Sequence, residues 1–116
     1  MKVTDKTIKA IRSTATFFEK HPERYSLING TVRSIRNSKD SMCPLAAIGA
    51  FLRIKGGFHK VAEKAFGMTS DGVYNEIYSD QSNGYFSIPV SAVIAGLRDW
   101  ADRLEAKAPA SAEVQP

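Results

Sequence analysis

The sequence predicts a mainly α-helical fold: about five helices and one small β-hairpin in a single compact domain. Three observations carry that reading. Apolar residues recur at helical spacing in several segments, each bounded by a capping residue, a proline or a glycine. One Asn-Gly pair lies between two short apolar-rich runs, the pattern of a tight hairpin turn. A chain of 116 residues with 43% hydrophobic content holds enough apolar surface for one core and is too short for two.

The first helix is expected over Thr4–Phe18. Thr4 is a good N-cap, Asp5 suits the positive end of the helix dipole, and Val3 can staple against Ile8. Ile8, Ile11, Ala15 and Phe18 share one face, and His21-Pro22 ends the helix because the residue before proline disfavours the helical region. Residues 25–35 are expected to form the hairpin, turning at Asn29-Gly30, and Asn37–Ser41 a polar loop.

Pro44 opens the second helix, with Leu45, Ile48 and Leu52 as its stripe. Gly49-Ala50 admits a close neighbour, and Gly56-Gly57 is the expected stop. A third helix covers Phe58–Phe66, with Val61, Ala62, Ala65 and Phe66 inward and Gly67 at its end. Ser70 is expected to cap a short fourth helix carrying Val73, Tyr74, Ile77 and Tyr78. After the turn cluster Asp80–Gly84 and the extended run Tyr85–Ile88, Pro89 opens the last helix. Its stripe is Val90, Val93, Ile94, Leu97, Trp100, Ala101 and Leu104, and it is expected to lie across the first two helices and end about Glu105. The domain is thus residues 1–106, with the Ala/Pro/Ser-rich 107–116 expected to be a disordered tail.

Charge is unevenly placed. Residues 1–32 carry a net +3, residues 33–64 a net +5 and residues 65–116 a net −4. A basic front and an acidic back orient a field that steers a charged partner, although a solvated surface with uneven charge has the same composition. No run of 18 apolar residues is present, so no membrane-spanning helix is expected. The charged opening MKVTDKTIKAIR lacks the apolar stretch of a signal peptide, and a single cysteine, Cys43, allows neither an internal disulfide nor a multi-cysteine zinc site. The cytoplasm is the expected compartment.

Catalytic constellations are sparse. Cys43 precedes Pro44 at a predicted helix N-terminus, a place that lowers a thiol pKa. A nucleophilic cysteine also needs a base, and neither His21 nor His59 is spaced to supply one, so a small residue plugged into the core is the preferred reading. Two separate histidines and one cysteine fall short of a metal site, and Gly56-Gly57 is a helix stop rather than a phosphate loop. Asp71, Glu76 and Asp80 read as solvated acids. The aromatic residues Tyr74, Tyr78, Tyr85 and Phe86 either close the core around Trp100 or anchor a partner. Tyr74 and Tyr78, four apart, are not expected to be buried together beside Val73 and Ile77.

The stretch from Gly56 to Pro89 resembles the helix-turn-helix of small phage and prophage regulatory proteins of the lambdoid CII-like kind. The residues that carry the resemblance are Gly56-Gly57-Phe58, Val61-Ala62-Glu63, Gly67-Met68-Thr69, Val73, Asn75-Glu76-Ile77-Tyr78 and Gly84. It implies a support helix, a glycine turn and a recognition helix at Ser70–Tyr78, with Ser70, Tyr74 and Asn75 as the DNA-reading candidates. Two departures stand out: one residue too many from Ala62 to Gly67, and no Lys or Arg in the recognition helix, which carries Asp71 and Glu76 instead. Over its whole length the chain is also similar to small uncharacterised phage and bacterial helical proteins with a Cys-led Gly-Ala helix, here Cys43–Ala50, a likeness that implies no activity.

These readings converge on a non-enzymatic regulatory or accessory protein of phage or prophage type that binds a macromolecular partner, a protein before a nucleic acid. Arg33, Arg36, Lys39, Tyr74 and Tyr78 are the partner-binding candidates. A helix-turn-helix transcriptional regulator is the alternative, and a Cys43-dependent enzyme a remote third. No catalytic residue, metal or cofactor and no membrane partner is expected, while a homodimer stays open.

Overall fold

The computed structural model describes residues 3–26, 30–32, 40–78 and 89–113, with side chains as far as Lys107. Within them the protein is mainly helical. Helix α1, Asp5–Lys20, starts as its sequence dictates: the Thr4 hydroxyl accepts the Thr7 N–H at 3.2 Å, and Asp5 sits in the first turn. Ile8, Ile11, Ala15 and Phe18 are all buried, and Val3 packs against that core. The helix runs two residues beyond its expected end. Proline restricts only the residue directly before it, so His21 leaves the helical region (φ −133°, ψ 65°) and Lys20 does not. A single 3₁₀ turn, Pro22–Arg24, follows.

Helix α2, Pro44–Leu52, is buried on every side over its first six residues. Cys43 caps it, its sulfur accepting the Ala46 N–H at 3.4 Å. Gly49 is where the neighbour comes close: a Cβ there would lie 2.5 Å from a methyl of Val61 and 2.8 Å from one of Val32. Gly56-Gly57 does not end this helix. Arg53 does, by adopting the left-handed conformation (φ 59°, ψ 37°), which a non-glycine residue adopts only at a cost. Gly56 (φ 116°) then turns the chain into helix α3, Phe58–Val61.

From Ala62 to Phe66 the backbone continues as a π-helical turn, closed by Gly67 in the left-handed conformation. The Met68 N–H reaches back to the Ala62 carbonyl at 3.3 Å, one residue further than in the usual glycine cap. A π turn holds an extra residue without breaking the helix. The inward set of Val61, Ala62, Ala65 and Phe66 is buried as expected.

Helix α4 spans Ser70–Ile77, and its cap is Thr69 rather than Ser70. The Thr69 hydroxyl accepts the Gly72 N–H at 3.1 Å, while Ser70, one position inside the helix, is buried. Helix α5, Val90–Glu113, buries Val93, Leu97, Trp100, Ala101 and Leu104. Its backbone stays helical eight residues past the expected end, through an alanine-rich segment that favours helix despite Pro109.

Helix α5 packs chiefly on α1 and α4, not across α1 and α2 as the sequence reading had it. Gly96 explains the α4 contact: a Cβ on it would run into the carbonyl of Ile77, so only glycine lets α4 end against this face. The Trp100 ring meets Phe66 at 4.8 Å, tying the π turn to α5. Residues 27–29 and 33–39, which hold most of the expected hairpin, lie outside the described residues, as do 79–88. Of the described flanks, Tyr25 bridges Met42 and Thr31 bridges Gly57, so each pairs with a distant segment. The Tyr25 bridge ties the chain after α1 to the approach to α2, and Arg24 reinforces it by donating from Nε to the Asp40 carbonyl at 2.6 Å.

Candidate functional site

Helix α3 with its π turn, the Gly67–Thr69 turn and helix α4 follow one another as a helix, a short turn and a second helix. The extra residue between Ala62 and Gly67 sits in the π turn. Of the DNA-reading candidates, only Asn75 is exposed. Ser70 is 4% exposed and shares a hydrogen bond with Nδ1 of His59 at 2.9 Å, pinning the start of α4 to α3. Tyr74 is 7% exposed. The rest of the outward surface of α4 is acidic: Asp71 is exposed, and Glu76 is held by Arg103 at 2.6 Å.

Tyr74 and Tyr78 are buried together, contrary to expectation, because their rings stack in parallel, offset planes, centroids 5.7 Å apart with 5° between planes. Beneath them lies Cys43. The Tyr74 hydroxyl hydrogen-bonds its thiol, and the Tyr78 hydroxyl lies 3.4 Å from that of Tyr25. Burial pushes the Cys43 thiol above its ordinary value, outweighing those hydrogen bonds. Burial likewise raises Tyr78, and the bond to Tyr25 adds to it. The helix N-terminus therefore does not make Cys43 an exposed thiolate; the cluster is a polar seam inside the core. Neither tyrosine offers a partner its ring.

Arg33, Arg36 and Lys39 lie outside the described residues. The same basic segment of sequence, however, continues into residues the structure places. Arg53, Lys55, Lys60 and Lys64 are exposed along the α2–α3 connection and α3. None of the four has a carboxylate within 4.0 Å among the described residues. Lys60 borders an open groove of about 760 Å³ between the starts of α3 and α4, shared with His59, Glu63, Met68, Thr69 and Asp71.

The arginines elsewhere are committed. Arg12 meets Asp102 at 2.9 Å and Glu105 at 2.8 Å; Arg98 meets Glu19 at 2.8 Å; Arg103 meets Asp99 at 2.9 Å as well as Glu76. The Arg98 and Arg12 hydrogen bonds hold the Glu19 and Glu105 carboxyls below the usual carboxylate range. The charge tally by segment could not separate these paired cations from the free ones, since pairing depends on which helices meet.

A second surface was also missed. On α1 the residues Lys9, Ser13, Thr16 and Lys20 fall on one line at helical spacing, outside the core stripe. They border a groove of about 420 Å³ with Phe17 and Phe51. No group of three or more His, Cys, Asp or Glu side chains gathers as a metal site among the described residues. No helix among them is long and apolar enough to cross a membrane. No family model, curated protein or solved structure matches the chain.

Proposed function

We propose that this chain is a small non-enzymatic accessory or regulatory protein that acts by occupying an acidic surface of a protein partner. The observation that carries the reading is the exposed set Arg53, Lys55, Lys60 and Lys64, close in sequence, four cations with no carboxylate of the chain's own to meet among the described residues. Exposed charges of one sign steer association and select an oppositely charged partner, more than they add affinity. Cys43 supports the non-catalytic side of the reading, because a buried thiol with a raised pKa is a poor nucleophile.

A DNA-binding reading is the second, and the order of α3, turn and α4 is what favours it. A protein partner is preferred because two of the three base-reading candidates, Ser70 and Tyr74, are buried, and because Asp71 faces outward where phosphates would lie.

The test is affinity capture from a host lysate with the tagged wild-type chain and with a Lys60→Glu/Lys64→Glu variant, beside a duplex-DNA binding assay at low salt. The expected result is a protein retained by the wild type, released by moderate salt and lost from the variant, with no DNA shift. Retention of the same proteins by both chains, or a DNA shift that falls steeply with salt, would overturn the protein-surface reading.

A further inference from the structure

We infer that the groove over α1 is a second binding site, independent of the Arg53–Lys64 set, and that it takes an extended acidic peptide segment with an apolar residue at its middle. The floor of the groove is aromatic: Phe17 and Phe51 meet edge to face at 6.4 Å, Phe17 buried and Phe51 half-buried. Lys9 and Lys20 stand exposed at its two ends, neither with an ion-pair partner among the described residues. The half-buried hydroxyl residues Ser13 and Thr16 lie between them.

Charge complementarity names the occupant. Of the residues that line it, Lys9 and Lys20 are cations with no ion-pair partner among the described residues, and no carboxylate lines it. Of the acids nearby, Glu19 is held by Arg98, Asp102 and Glu105 share Arg12, and Glu23 lies 3.6 Å from His21, so none of them meets either lysine. The other groove, beside α4, carries Glu63 and Asp71 and lacks this one-sided sign. The phenyl rings add a demand that a bare polyanion does not meet, since an apolar side chain is needed to cover Phe51.

Geometry sets the length. At about 1.5 Å rise per residue, Lys9 and Lys20 stand roughly 16 Å apart along the helix. An extended chain covers that span in about five residues. The fitting segment therefore has carboxylates about five positions apart, an aliphatic side chain between them over Phe17 and Phe51, and backbone groups within reach of Ser13 and Thr16. Its affinity comes from covering the rings, and the lysines orient it.

The experiment is an amide chemical-shift titration of the full chain with the synthetic peptide Asp-Asp-Ser-Leu-Ser-Asp-Asp. Controls are a Lys-for-Asp counterpart, a Gly-for-Leu counterpart and a short DNA duplex. Saturable shifts are expected at Lys9–Lys20 and Phe51, absent with the lysine peptide and weakened by salt. Binding should fall by at least about tenfold in Lys9→Glu/Lys20→Glu, whose retained fold is checked by circular dichroism, and in wild type with the glycine peptide. It should be unchanged in Lys60→Glu/Lys64→Glu, so this site and the set proposed above fail separately. Shifts centred on other residues, equal response to the lysine or glycine peptide, tighter binding of the duplex at the same residues, or no saturable response each overturn the inference.

Discussion

The seam between α1 and α5 and the segment Arg53–Lys64 treat positive charge in opposite ways. Along the seam, Arg12 meets Asp102 and Glu105 and Arg98 meets Glu19, so that two acids of the last helix and Glu19 pair across helices that also bury Ile11, Phe18, Leu97 and Trp100. Between Arg53 and Lys64, four cations stand exposed with no such partner among the described residues. The difference teaches where each charge belongs in the molecule. A seam holds its helices by buried apolar area and merely decorates its rim with ion pairs, which contribute little when exposed. A cation with no carboxylate to meet adds no ion pair to the fold, and it is this charge that the proposed function uses.

That comparison makes graded predictions. The largest effect should come from Gly96→Ala, which drives a methyl into the Ile77 carbonyl and forces α4 off α5. A loss of about 3 kcal/mol in urea unfolding is expected; a variant as stable as wild type would mean that α4 does not depend on this contact. Next comes the tyrosine seam. Tyr78 and Tyr25 are raised in the folded state, so their contribution is intact below the ordinary tyrosine value of 10.0 and is lost as pH climbs above it, where the unfolded chain ionises first. Thermal melts should fall steeply in that range, and Tyr78→Phe should flatten the fall.

A smaller effect belongs to the ion pairs of the α1–α5 rim. Glu19 and Glu105 are lowered in the folded state, so their contribution is present above the ordinary carboxylate value of 4.5 and disappears as pH falls through their folded values. Arg98→Ala should lower the melting temperature slightly at neutral pH, and added salt should erase the difference from wild type. The smallest effect on stability should come from Lys60→Glu/Lys64→Glu: within about 0.5 kcal/mol of wild type by urea unfolding. A larger loss would show that these lysines do hold the fold, and the contrast between the two regions would dissolve.

What could be read from the sequence was local. Thr4 as a cap, Pro44 as a helix start, Gly67 as a helix end and the inward face of Phe58–Phe66 all follow from short-range chemistry, and the structure has each of them. Readings that needed a partner element went astray. Tyr74 and Tyr78 looked too bulky to bury because the stacking that lets both fit involves their mutual angle and the contact with Cys43, neither visible in spacing. Thr69 took the cap from Ser70 because Ser70 is needed by His59, eleven positions earlier. Arg53 ended α2 ahead of the glycines by adopting the left-handed conformation, which its residue type does not announce. The candidate surfaces followed the same division: basic content was plain, but which cations remain free is decided by the meeting of α1, α4 and α5.

The π turn at Ala62–Phe66 has a consequence for how this gene tolerates change in length. Glu63 and Lys64 are exposed within it, while the residues on either side are anchored in the core. Deleting one of the two would let the turn relax to ordinary α-helical winding, with Val61 and Phe66 both kept inward and the glycine stop still in place. A single-codon loss at Glu63, which unlike Lys64 is no part of the proposed binding surface, would here leave the core in register.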